Sequence, residues 1–183
     1  MISSNSTTPR YGSLSIFLHW LTAVLVGAAI VAIELKGWFP KGSELRESAK
    51  FWHFQLGALV LLISVARLAW SLCVRGPEPL APRGSMAHRL GVAAHAALYV
   101  LLLVLPASGL VMLVVAGKPV SLLGFDLPVS VPGDRPLAKG IEEIHEFLGN
   151  AMMVLIGLHA AAALWHEYVW RDGTLRRMLP QRR

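Results

Sequence analysis

The stretch Gly140–Trp170, GIEEIHEFLGNAMMVLIGLHAAAALWHEYVW, decides the fold. Between His145 and His159 it carries only one charge, Glu146, and from Ala160 to Ala163 every side chain is a methyl group. At 100° and 1.5 Å per residue, the fourteen-residue step from His145 to His159 leaves the two imidazoles within about 40° of one face and about 21 Å apart along a helix axis. His166 follows one heptad later on the same stripe. An apolar helix with imidazoles held on one face at two depths reads as a post for two metal centres.

The rest of the composition agrees with a helix in lipid. Of 183 residues, 55% are hydrophobic and 15% are charged, and the charges are concentrated between long apolar runs. That is the composition of a membrane protein. Four runs, Ile16–Leu35, Phe51–Leu72, Leu90–Val115 and Ile144–Tyr168, each reach the roughly 20 residues that span a bilayer. In lipid the backbone satisfies itself, so these runs predict an all-α, integral membrane four-helix bundle forming one domain over 1–183. Pro106 and Gly109 predict a kink or a thin place in the third helix, and Arg67 is placed to snorkel from the second.

The net charge of +6 does not point to nucleic acid, because the basic residues sit in loops and tails. One set of loops holds Arg10, Arg75, Arg83, Arg89, Arg171, Arg176, Arg177, Arg182 and Arg183 with little acid. The other mixes Lys36, Lys41, Arg46, Lys50, Lys118, Arg135 and Lys139 with six carboxylates. The positive-inside rule then predicts that both termini are cytoplasmic. The polar stretch Met1–Tyr11 carries no pattern of a cleaved secretory signal. Cys73 is the only cysteine, which excludes internal disulfides, iron–sulfur clusters and thioether-linked haem.

A short local repeat narrows the metal chemistry. His53–Gly57 and His145–Gly149 share the pattern H-x-x-L-G, each at the same end of its helix. A glycine four residues on lies on the histidine's face, where a missing side chain admits a flat macrocycle. By depth, His53 and His145 form an outer layer, and His19, His95 and His159 an inner one. Two neutral imidazoles on facing helices suit a six-coordinate haem iron. The reading is therefore two non-covalent haem b groups, with His53 and His145 about the outer one and His159 at the inner one. Spacing leaves His19 and His95 both open as its partner. His88 reads as a solvated loop residue. The Glu142–His145 E-x-x-H fragment suggests a carboxylate-bridged di-metal bundle, but the second and third apolar runs hold no Asp or Glu to complete it.

With these residues in view, the chain resembles the bacterial cytochrome b561 family, in the branch of superoxide:ubiquinone oxidoreductases. The resemblance covers nearly the whole chain. It rests on Leu18-His19-Trp20, Glu34–Pro40, His95–Tyr99, Gly109–Met112, Ile156–Leu164 and the tail Thr174–Pro180. It implies a di-haem protein of the bacterial inner membrane in which superoxide is oxidised to oxygen outside and ubiquinone is reduced. By likeness to the cytochrome b subunits of hydrogenases and formate dehydrogenases, it pairs His19 with His159 and His53 with His145. His95 and His166 are then left near the inner haem, where the resemblance implies a quinone pocket. The family's outer basic residues fall approximately on Lys36, Lys41 and Lys118. The rival expectation is an electron-conducting anchor for a separate redox protein, marked by a protein-sized docking patch outside. Membrane lipid is a partner in either case, and a homo-oligomer is compatible with both.

Overall fold

The computed structural model describes residues 10–122, 124–128 and 131–180. Arg182, Arg183 and the polar stretch 1–9 lie outside them. Four long helices carry the chain: α1 (Ser13–Leu35), α2 (Glu44–Cys73), α3 (Met86–Val115) and α4 (Arg135–Trp165). All four are long and apolar enough to cross a membrane.

Their starts are chemically marked. The Ser43, Ser85 and Asp134 side chains accept from the backbone N–H groups of Arg46, His88 and Leu137, each satisfying one orphan donor of a first turn. Glu44 and Glu47 add negative charge at the positive end of the α2 dipole. The Arg46 guanidinium donates to the carbonyls of Lys36 and Phe39 at 2.7 and 3.0 Å, fastening the turn between α1 and α2. His88 is in the first turn of α3, half-buried, rather than in a solvated loop.

Helix α3 runs through Pro106 without a break, and the expected thin place is Gly109. A Cβ there would stand 3.4 Å from Cε1 of His145, so the small residue lets α4 come close. Helix α4 ends in one π-helical turn, His166–Trp170, closed by Arg171 in the left-handed region at φ 54°.

Helix α1 packs on α2, α2 on α3, and α3 on α4. The core is thin. Val60, Leu102 and Met152 form its centre, with Leu25, Val26, Leu98, Leu101, Leu105 and Ile156 against them. Many large apolar side chains, such as Val24, Leu62, Val100 and Leu158, face outward instead. In water that would be costly, and in lipid it is the expected surface.

The bundle has two different ends. At one, the tail folds back: Trp20 donates its indole N–H to the Met178 carbonyl at 2.7 Å, and the Tyr11 N–H donates to the Arg177 carbonyl. Arg177 is 5% exposed and donates to the Glu78 carbonyl across from it. This is the termini face. At the other end, β1 (Val120–Leu122) and β2 (Phe125–Leu127) form a small antiparallel hairpin, with Ser121 opposite Asp126. Gln55 is buried and donates to the Ser121 carbonyl at 2.8 Å, tying this cap to α2.

Candidate functional site

Below the hairpin, His53 on α2 faces His145 on α4, with ring centres 6.2 Å apart and planes at 86°. Each ring is held by its Nδ1. His53 Nδ1 donates to the Ala29 carbonyl at 2.8 Å. A carbonyl only accepts, so the hydrogen is on Nδ1 and Nε2 keeps a free lone pair. His145 Nδ1 lies 2.9 Å from Ser108 Oγ, whose own hydrogen goes to the Leu105 carbonyl at 2.7 Å. The hydroxyl oxygen therefore accepts from His145, which again leaves a free lone pair on Nε2.

A cavity of about 570 Å³ adjoins this pair and draws its walls from all four helices, including Ala29, Gly57, Pro106, Gly149 and Met152. A Cβ built on Gly57 or Gly149 would meet nothing within 4 Å, so both glycines open onto free space. Lys36, Lys50 and Lys118 also line it, together with Glu34, Glu142 and Glu146. Of the expected outer basic residues, Lys36 and Lys118 are in this wall and Lys41 is not. Lys50 is there unanticipated, ion-paired to Glu47 at 2.6 Å.

Toward the termini face, His159 meets two other histidines. Its ring centre is 6.3 Å from that of His19, at 86°, and 5.3 Å from that of His95, at 85°. His95 Nδ1 donates to the Gly91 carbonyl at 2.6 Å. His19 Nδ1 is buried, with no hydrogen-bond partner among the described residues. His166 is engaged elsewhere: its Nδ1 is 2.5 Å from Asp172 Oδ2, and its ring lies edge-on to Trp170.

The hairpin-side pair, with its cavity and glycines, fits one kind of group; the His19–His159 pair shares its ring spacing. Among the described residues, no three His, Cys, Asp or Glu side chains converge as a metal cage. Two imidazoles suffice only when the metal brings its other ligands with it, as a porphyrin iron does. Two metal–imidazole bonds of about 2 Å, plus about 1 Å from each nitrogen to its ring centre, put axial rings about 6 Å apart. An edge-to-face ring contact falls in the same range. It would need neither the hollow beside the rings nor two glycines opening into it.

The family model of prokaryotic cytochrome b561 matches residues 10–181. The chain belongs to that family. As a cytochrome b561 it is a membrane electron-transfer protein of the oxidoreductase type, built for b-type haem, and a multi-pass protein of the inner membrane. It is 34% identical over 174 residues to "Cytochrome b561 homolog 1" of Escherichia coli, covering 95% of this chain and 99% of that one. It is likewise 34% identical over 175 residues to "Probable superoxide oxidase CybB" of Yersinia pestis, at 95% and 98% coverage. "Cytochrome b561 homolog 2" of Escherichia coli is 32% identical over 186 residues, at 97% and 95% coverage.

Several features of this cytochrome b561 were not read from its sequence. Ser108 holds His145 from a neighbouring helix, and Asp172 holds His166 from six residues further along the chain. Arg67 lies over the ring of Tyr99, 5.4 Å from its centre. The Ser and Asp carry no local signal, whereas Arg67 had one, as the sole charge in its apolar run, near that run's end.

Proposed function

We propose that this cytochrome b561 oxidises superoxide at the hairpin face and reduces ubiquinone toward the termini face, through two b-type haems. Superoxide leaves as oxygen after giving up one electron. Two such electrons and two protons convert ubiquinone to ubiquinol. Held by histidines from facing helices, b-type haems would supply one-electron iron couples and favour electron transfer over oxygen binding.

The observation that carries the reading is the pair of equal spacings, 6.2 Å for His53–His145 and 6.3 Å for His19–His159. His95–His159, at 5.3 Å, is too close to hold an iron between the rings, and so His19 is the better partner. His53, His145 and Gly57 with Gly149 would then hold the hairpin-side haem, and His19 with His159 the other.

The remaining residues orient and supply. Lys36 and Lys118 have no carboxylate at ion-pair distance among the described residues and draw an anion to the hairpin-side cavity. Three glutamates in the same wall keep that attraction modest. His95 stands beside His159 with its Nε2 unused, suited to hydrogen-bond a quinone carbonyl. His166, held by Asp172, offers a second imidazole at the membrane edge for proton supply. The arginine-rich termini face is then cytoplasmic.

The test is stopped-flow absorbance of the haem α-band in the purified protein, mixed with superoxide with and without ubiquinone. Rapid reduction that superoxide dismutase abolishes, followed by reoxidation with quinone, is the expected result. Haem that ignores superoxide would assign the chain to the anchor role, passing electrons from a separate redox protein.

A further inference from the structure

Arg67 is a guanidinium within a membrane-spanning helix, and it has no anionic partner. Among the described residues it makes no hydrogen bond or ion pair; its contact is the face of Tyr99. A cation at that depth is costly unless an anion or water meets it. The side chain lies over the Tyr99 ring of α3 and beside residues of the termini face, among them Tyr11, Val74 and Met178.

Its place on α2 is informative. Arg67 is fourteen residues from His53, the same step that separates His159 from His145 on α4. It therefore stands at the depth of the second histidine layer. Among the described residues, His19 Nδ1, Glu167 Oε2 and the Oγ of Ser64, fully buried one turn before Arg67, are buried polar atoms without a partner. A small cavity of about 120 Å³ opens beside the guanidinium, bounded by Ser15, Trp70, Tyr99 and Met178. Against the 570 Å³ cavity next to His53, that space suits an acid side arm and not a macrocycle.

Building on the two-haem reading, we infer that Arg67 is the counter-ion of a propionate of the haem at His19–His159, seated in this cavity. The chemistry is that of a planar donor fork facing a carboxylate, which two parallel N–H···O bonds recognise. Tyr99 fixes the fork by lying under it. The charge also has an electrical effect. A positive group beside the haem favours its reduced form, and removing it exposes an uncompensated carboxylate that favours the oxidised form. Arg67 thus raises the potential of the haem next to the quinone.

Potentiometric titration of full-length wild type, R67Q and R67K, with haem counted per chain, tests this. Redox-difference infrared spectra of propionate-labelled haem supply a second readout. In R67Q one of two midpoints falls by a factor of about ten in the reduction equilibrium, about 59 mV for a one-electron couple. The other midpoint stays, and a propionate carboxylate band shifts. R67K retains part of the potential, since it keeps the charge and loses the fork. If R67Q binds no haem, the same band shift in R67K decides. Unmoved midpoints overturn the assignment, as does a moved midpoint with unmoved carboxylate bands. A raised KM for quinone with both midpoints intact overturns it too, giving Arg67 to the quinone. A wild type holding one haem per chain would instead defeat the two-haem reading beneath it.

Discussion

His53 and His145 face one another with ring centres 6.2 Å apart, and the Nδ1 of each is occupied by a neighbour on a different helix. Ala29 of α1 anchors the first and Ser108 of α3 the second. The pair is therefore positioned by all four helices, and its two Nε2 atoms are the groups left to bind.

Ser108→Ala removes one acceptor from His145 Nδ1–H. A less strongly hydrogen-bonded imidazole is a weaker donor to iron, so the midpoint of the hairpin-side haem rises. Outer-shell changes of this kind weaken metal binding by about 10–100-fold, and the lower end is expected here. Redox titration should show one midpoint raised and the other unchanged.

Filling the hollow tests the macrocycle directly. Gly149→Leu places a side chain where a Cβ now meets nothing within 4 Å. The empty protein should fold normally, because the Cβ meets nothing and the side chain extends into the cavity that Gly149 lines. Haem would meet the leucine, at about 1–3 kcal/mol by the usual cost of overpacking, which is about 5- to 150-fold weaker retention. The pyridine haemochrome assay should show partial loss, with Gly149→Ala much milder.

The four apolar runs and the histidine face were legible because they depend on periodicity along one helix. The contacts that tune them were not, since Ser108–His145, Ala29–His53 and Arg67–Tyr99 each join different helices. The heptad step to His166 misleads for a local reason. The α-helix gives way to a π turn at His166–Trp170, and Asp172 from the next turn takes the imidazole. The hairpin inside Ala116–Glu143 was unseen because each strand is only three residues long.

Asp172 gives a pH signature. Partial burial works to raise its carboxyl, but hydrogen bonds from the Thr174 side chain and from His166 outweigh this and hold it below the usual carboxylate range. A depressed folded value means stability that is present above the unfolded pKa of about 3.9 and lost as pH falls through the folded value. The tail clasp should therefore persist at neutral and mildly acidic pH and loosen only in strong acid. Asp172→Asn should loosen it at neutral pH, read as faster tryptic cleavage after Arg176.

Superoxide capture should depend on Lys36 and Lys118. Replacing either with Gln should slow α-band reduction by about two- to fivefold at low salt, and the difference should shrink as salt screens the mouth. Equal rates at low salt would remove the lysines from the entry path.

The most direct measurement is low-temperature electron paramagnetic resonance, with haem stoichiometry, on wild type and the alanine variants of His53, His19 and His95. Wild type should hold two haems with two low-spin bis-histidine signals. His53→Ala should lose one signal, His19→Ala the other, and His95→Ala should keep both. A single haem in wild type, or loss of a haem in His95→Ala with both retained in His19→Ala, would contradict the account.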